Sequence, residues 1–219
     1  MIQQKWHELH ADKRHQPRYP SNDLVSFVFR NFKSGDKILD LGCGAGRHVK
    51  FLAENGFKAF GVDCSENGIK AAQELLKTYN LQADLKVSSV DDIPYEDESF
   101  DGLLCYGVLY YNSKEVIEKA AKEIYRVLKK GSMSYVAVRN MDDYRYKNNE
   151  KKSKYEVIIQ ESDKNRSASC EDGMQMYFFD KDEVQRIFKD FKNIEINRLK
   201  TSYANDSFAD ESFLIILKK

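Results

Sequence analysis

Apolar and polar positions change their period several times along this chain, and each change marks an element. "KILDL" (37–41) is a short apolar run stopped by glycine and reads as a buried strand. In 46–55, Val49, Leu52 and Ala53 share one side, as in an amphipathic helix, and Gly56 stands where a C′ glycine belongs. "KAFGVD" (58–63) is the next strand. Ser65 caps a second helix in which Ile69, Ala72, Leu76 and Tyr79 recur at helical spacing. "DLKVSSV" (84–90) and "DGLLCYG" (101–107) are the third and fourth strands, separated by the turn-like "PYEDES". A long helix is predicted from Ser113 to Lys130, with Val116, Ile117, Ala120, Ile124, Val127 and Leu128 on one face. Gly131 ends it, and "MSYVAVR" (133–139) is the fifth strand.

Strands that alternate with helices and are apolar nearly throughout predict a parallel sheet covered on both faces. The ending departs from that rhythm. Asp180 and Glu183 form a capping box for the helix "KDEVQRIFKDF". "NIEINRL" (193–199) and "ESFLIILK" (211–218) then follow with no helix between them, so the sheet closes with an antiparallel hairpin. Residues 141–176 are polar, bear several tyrosines and fit none of these units. They read as an insertion at the carboxyl edge of the sheet, with "YEVIIQ" (155–160) as one extra strand.

Composition narrows the field modestly. The 219 residues carry 35 Lys+Arg against 35 Asp+Glu, a zero net charge that argues against a broad nucleic-acid footprint but leaves room for a local patch. Four scattered cysteines form no C-x-x-C pair, so neither a disulfide framework nor a zinc site is expected. "MIQQKWHELHADKRH" lacks an apolar leader core, and no stretch approaches a membrane span. The expectation is a cytoplasmic protein with no membrane partner and no metal, a monomer or a homodimer.

The candidate chemistry gathers in residues 38–64. In an open parallel sheet, ligands bind outside the carboxyl ends of the strands. Gly42, Gly44 and Gly46 allow a sharp turn and close approach of a ligand there, with a helix N-terminus aimed at it. Asp63, at the tip of the neighbouring strand, is placed to accept two hydrogen bonds from a ribose diol. Asp40, before the glycines, repels phosphate and attracts an ammonium group. A dinucleotide asks for G-x-G-x-x-G and no carboxylate beside its pyrophosphate, whereas this spacing is G-x-G-x-G behind an aspartate. A ligand with a ribose and a cationic amino-acid end fits both carboxylates, and S-adenosylmethionine has both.

"LDLGCGAGRH", "GVDCSENGI", "DIPYEDESFDGLLCYGVLYY" and "EIYRVLKKGS" stand in the order and spacing of class I S-adenosylmethionine-dependent methyltransferases of the small bacterial type, which the chain resembles over about 33–140. The resemblance implies an α/β, Rossmann-like doubly wound seven-stranded sheet, order 3-2-1-4-5-7-6 with strand 7 antiparallel and helices on both faces. It also implies cofactor contacts at Asp40, Gly42, Gly44 and Gly46, the ribose on Asp63, and S-adenosylhomocysteine as product. Where that family commonly has an acid for the adenine amino group, this chain has Ser89 followed by Val90, with Asp91 the nearest substitute. The chain then divides, within one domain, into an N-terminal helical cover (1–32), a cofactor-binding core (33–140), an insertion over the acceptor (141–176) and a terminal helix and hairpin (177–219).

Other residues are candidates beside a bland reading. Cys43, Cys64 and Cys105 fall at strand carboxyl ends and read as small pocket lining in preference to a reactive or metal-binding trio. His7 and His10 are three apart with no third ligand in view, so a solvated helix is expected there, with Trp6 and Leu9 on its apolar side. His48 is read as solvated or packed. In "HQPRYP" (15–20), Arg18 would meet the cofactor carboxylate and Tyr19 would wall the methyl group, or the segment is an ordinary surface turn. Tyr110, Arg139, Tyr144, Arg145 and Tyr177 are the acceptor-side candidates. Tyr19, Tyr106 and His15 are nominees for a general base. The implied reaction is in-line methyl transfer to a small-molecule acceptor, with an anionic acceptor suggested by Arg18, Arg139 and Arg145. The alternatives are a cofactor-binding regulator without turnover, and a methyltransferase acting on RNA or protein.

Overall fold

The computed structural model of the chain describes residues 2–219. Its elements run α1 (Ile2–His10), α2 (Asn22–Asn31), β1 (Lys37–Leu41), α3 (Arg47–Glu54), β2 (Lys58–Asp63), α4 (Glu66–Thr78), β3 (Asp84–Val87), β4 (Phe100–Tyr106), α5 (Lys114–Val127) and β5 (Leu128–Arg139). The insertion holds α6 (Tyr144–Asn148), β6 (Glu156–Ile158) and β7 (Gln175–Tyr177), and the chain closes with α7 (Lys181–Ile187), β8 (Asn193–Tyr203) and β9 (Phe208–Lys218).

Seven strands form one sheet in the order β3-β2-β1-β4-β5-β9-β8. The first five are mutually parallel, and β9 enters antiparallel between β5 and β8, as the hairpin rule required. Alternation along each strand divides the core between two faces. Leu39, Leu103, Val136 and Ile215 point to the face covered by α5 and α7, whereas Ile38, Leu104, Tyr135 and Leu214 point to the face covered by α2, α3 and α4. This is the Rossmann-like, doubly wound seven-stranded sheet with one antiparallel strand that the sequence predicts.

Local chemistry fixes several ends. The Ser65 side chain accepts a hydrogen bond from the Gly68 N–H at 3.0 Å, and the Asp180 carboxylate accepts one from the Glu183 N–H at 2.8 Å. The reciprocal half of the capping box is missing, because the Glu183 carboxylate turns to Tyr177 and Arg186. Two expectations need correction. The long helix stops at Val127 and the fifth strand begins at Leu128, which is fully buried and pairs with Phe100, so burial overrides helical spacing. The left-handed φ of Gly131 (+79°) therefore serves an irregularity within the strand and does not end the helix. Within the insertion, β6 does form. It pairs with β7 in a separate two-stranded sheet, so the expected boundary at 177 falls inside an element.

Candidate active site

The β1–α3 turn builds the floor of the site. Gly42, Gly44 and Gly46 all have left-handed φ (+77°, +51° and +85°). The Gly42 and Cys43 N–H groups donate to the Val62 carbonyl, which folds the turn over the end of β2. A Cβ on Gly46 would lie 2.7 Å from that of Ala72, so this glycine also lets α3 and α4 meet. Asp63 ends β2 with its carboxylate stretched between two backbone donors, Gly44 N–H and Ser65 N–H, each at 2.8 Å. Burial raises its pKa above the ordinary carboxylate value, and those hydrogen bonds oppose the rise only in part. Asp40 is buried beneath the floor. Its Oδ1 lies 3.7 Å from His48 Nδ1, and its Oδ2 has no partner.

A cavity of about 730 Å³ opens above this floor at the carboxyl ends of the strands. It brings together Gly42, Cys43, Gly44, Asp63 and Cys64 at one end, Ser89, Val90 and Asp91 beside them, and Tyr106, Tyr110 and Arg139 farther along. His15 also lines it. The Ser89 hydroxyl donates to Asp91, so the two adenine candidates act as one polar unit. Burial lifts the Cys43 thiol well above its ordinary pKa and pushes Cys64 up to about 11, which suits lining and not nucleophilic attack.

Several expected members lie elsewhere. Asp40 and Gly46 support the floor from below without lining the cavity. Cys105 is fully buried in the α5 face of the core, because alternation along β4 turns it away from the cleft. Arg18 is exposed, and Tyr19 is 82% exposed, outside the cleft. Tyr144 and Tyr177 are core residues. The first accepts the Ala168 N–H at 3.2 Å, and the second donates to Glu183. Tyr106 reaches the cleft, but its hydroxyl is turned to Asp23 at 3.3 Å, and burial together with that carboxylate raises its pKa. Of the three nominated bases, His15 alone lines the cleft without such a commitment.

Arg145 is 1% exposed and bound on every side. Its Nε donates to Glu171 at 2.5 Å, Nη1 to Asp210 at 2.9 Å and Nη2 to Ser167 at 2.9 Å, with Asp143 beside it at 3.3 Å. Arg139 shares these partners, Asp143 at 3.0 Å and Asp210 at 3.5 Å. Two guanidinium groups thus face three carboxylates, and the expected surplus of positive charge is absent. Only the buried Arg139 Nε lacks a partner.

Sequence reasoning named an N-terminal cover but not the residues by which it meets the cleft. Helix α1 lines the cavity with Gln3, Trp6, Leu9 and His10, and the Trp6 ring meets Tyr111 edge-on with centroids 4.8 Å apart. Its apolar side therefore faces the cleft; the i, i+3 spacing of Trp6 and Leu9 was the available signal. Arg47 was also missed. It follows the last glycine in the first turn of α3, lines the cleft and stands 5.6 Å from the Tyr106 ring centre. Tyr111 donates to Glu171 at 2.6 Å, and burial, with Tyr110 and Glu171 beside it, holds it protonated.

A family profile described as a methyltransferase domain matches residues 38–131, the segment that carries the glycine turn, Asp63 and β4. Over this segment the chain resembles a methyltransferase domain, and its seven-stranded sheet has the class I methyltransferase fold. Among curated relatives, it is 33% identical over 124 residues to 24-methylenesterol C-methyltransferase 2 of Arabidopsis thaliana, covering 55% of this chain and 34% of that one. It is 32% identical over 107 residues to demethylmenaquinone methyltransferase of Symbiobacterium thermophilum, covering 46% and 41%. The matches thus span under half of either relative's own length. A crystal structure of an S-adenosylmethionine-dependent methyltransferase from Methanosarcina mazei superimposes with a TM-score of 0.71 at 20% identity, covering 92% of this chain and 98% of that one. Among the described residues no helix is long and apolar enough to cross a membrane.

Proposed function

We propose that this methyltransferase transfers the sulfonium methyl group of S-adenosylmethionine to a neutral small-molecule acceptor by in-line displacement. The observation that carries this reading is one continuous cavity joining the glycine turn and Asp63 to an aromatic wall of Trp6, Tyr110 and Tyr111. Its volume of about 730 Å³ lies within the roughly 300–1,000 Å³ usual for small-molecule sites. The residues fit the cofactor. Asp63 keeps a carboxylate in a place where burial disfavours the charge, as a binding group for hydroxyls would. Ser89, Val90 and Asp91 would hold the adenine. Arg47 replaces the exposed Arg18 as the residue for the cofactor carboxylate.

When bound, the cofactor supplies a methyl group on positively charged sulfur whose leaving group is a neutral thioether, so no general acid is required. The chain's task is alignment, holding the reacting atoms about 3–3.5 Å apart in a water-poor site. Trp6 and Tyr111 exclude water from the acceptor end. Where the acceptor must lose a proton, His15 is the residue to take it. The charge of Arg139 is already met by Asp143 and Asp210, so an anion there would join a cluster richer in carboxylates, which favours a neutral acceptor.

Calorimetric titration with S-adenosylhomocysteine and with NAD, followed by assay of methyl transfer to a panel of neutral and anionic acceptors, tests the reading. Binding of the first ligand alone, with turnover of neutral acceptors, is expected. Binding of NAD in its place would refute the cofactor assignment, and binding without turnover would favour a regulator.

A further inference from the structure

His10 is held in an unusual place for a residue of an N-terminal helix. The residue is 9% exposed, packs against Gly44 of the glycine turn, and lines the cavity together with Asp63. Two glycines make the room. A Cβ on Gly44 would stand 3.2 Å from His10 Nε2, and one on Gly68 would stand 2.8 Å from Nδ1. Gly68 lies in the first turn of α4, where glycine is disfavoured relative to alanine by roughly 1 kcal/mol. A side chain there would press on both the imidazole and the Gly44 carbonyl, 3.2 Å away. The helix is fastened in this position from both ends of the ring. Asn67 Nδ2 donates to the His7 carbonyl at 2.9 Å, and Gln16 Nε2 donates to the His10 carbonyl at 2.7 Å.

Despite this close fit, His10 Nδ1 is buried without a hydrogen-bond partner. Buried polar atoms without partners are uncommon and call for an explanation. Helix packing alone does not supply one, because a leucine or phenylalanine would fill the same space without leaving a polar atom unpaired. A ligand hydroxyl met by the other nitrogen does supply one, because Nδ1 is closed off against Gly68 whereas the ring lines the cavity and carries Nε2 on the Gly44 side. Asp63, the group that faces His10 across the turn, is acceptor-only when ionised, and each of its oxygens already accepts one backbone N–H. A vicinal diol has two hydroxyls, and an imidazole nitrogen beside the turn gives it a second partner.

We propose that His10 is a second ligand for the vicinal ribose hydroxyls of the nucleoside cofactor, holding the diol between its imidazole and the Asp63 carboxylate. The inference rests on the cofactor reading above and adds to it a binding residue from outside the β1–β2 region. Burial lowers the His10 pKa, with Asp63 opposing and His15 and His7 reinforcing that shift, so the ring is neutral at pH 7 and offers one donor and one acceptor nitrogen. Because Trp6 lies on the same helix and lines the acceptor end, engagement of His10 would also set the roof over the acceptor.

The test is a cycle between protein and ligand. Affinities of S-adenosylhomocysteine and of its 2′,3′-dideoxy analogue are measured by calorimetry for the unaltered protein, His10→Ala and His10→Phe. Loss of one hydrogen-bonded partner predicts that both substitutions weaken S-adenosylhomocysteine binding about five- to tenfold. The dideoxy analogue, already weak with the unaltered protein, should bind all three alike. Equal affinities for S-adenosylhomocysteine across the three proteins would overturn the inference. So would an equal loss for both ligands, since that would mean displacement of α1 and not a lost contact to the diol. Failure of the unaltered protein to bind S-adenosylhomocysteine would overturn the cofactor reading itself.

Discussion

Replacing Arg145 by methionine separates a structural role from a catalytic one. The guanidinium is 1% exposed and donates to Glu171, Asp210 and Ser167, with Asp143 at 3.3 Å. Methionine fills much of the volume but removes the charge, leaving Glu171, 3% exposed, without its cation, while Asp143 keeps Arg139. Removing one partner of a buried ion pair costs about 3–5 kcal/mol, because the remaining charge stays buried and unpaired. For a chain of this length each kcal/mol lowers the melting temperature by roughly 2–4 °C, so a drop of about 6–20 °C is expected. Thermal and urea unfolding followed by circular dichroism read it directly. The double variant Arg145→Met/Glu171→Met removes the stranded carboxylate as well and should recover part of the loss. A melting temperature within 2 °C of the unaltered protein, combined with a raised acceptor KM, would refute this reasoning and return Arg145 to the acceptor site.

Asp63→Ala should weaken S-adenosylhomocysteine about tenfold or more, since a charged acceptor is lost; an unchanged dissociation constant in calorimetry would remove Asp63 from the site. The pH dependence carries two opposite signs. Because burial raises the folded-state pKa of Asp63, the folded chain takes up this proton before the unfolded chain does. As pH falls from the raised folded-state value towards the ordinary carboxylate value, the contribution of Asp63 to stability should therefore rise while cofactor affinity falls, and both trends should vanish in Asp63→Asn. Gly46→Ala places a Cβ 2.7 Å from that of Ala72 at a φ of +85°, so a loss of at least about 1–2 kcal/mol in urea unfolding is expected from the left-handed backbone alone. Trp6→Ala should raise the acceptor KM with little change in S-adenosylhomocysteine affinity, which steady-state kinetics and calorimetry together would show.

The sheet was legible because its signals are local. "KILDL" and "KAFGVD" announce strands buried on both faces, and Ser65, Ser113 and Asp180 announce helix starts through side-chain oxygens that reach only three residues ahead. The hairpin followed from the absence of a crossover helix between 199 and 211. Leu128 was misread for the opposite reason. Its helical spacing from Ile124 and Ala121 is local, whereas the pairing that decides its state is with Phe100, far off in sequence. Helix α1 was recognised as part of a cover, but the burial of His10 against Gly44 and Gly68 was not, since both glycines lie far off in sequence.

The acceptor end shows the same limit in electrostatic form. From sequence, Arg139 and Arg145 have only Asp142 and Asp143 nearby, and a cleft with spare arginines suggests an anion. The partners that change the sign come from a distance, Glu171 from a turn late in the insertion and Asp210 from β9. Asp142, the neighbour in sequence, turns away to Lys147 and Arg198. Once these carboxylates arrive, the two guanidinium groups no longer advertise a charge. Arg145 becomes the post on which the insertion is fixed, and Glu171 passes that support to Tyr111 and so to the wall of the cavity. The insertion therefore shapes the cavity through Cys170 and through the support that Glu171 gives Tyr111, and not through the tyrosines and arginines that its sequence displays most openly.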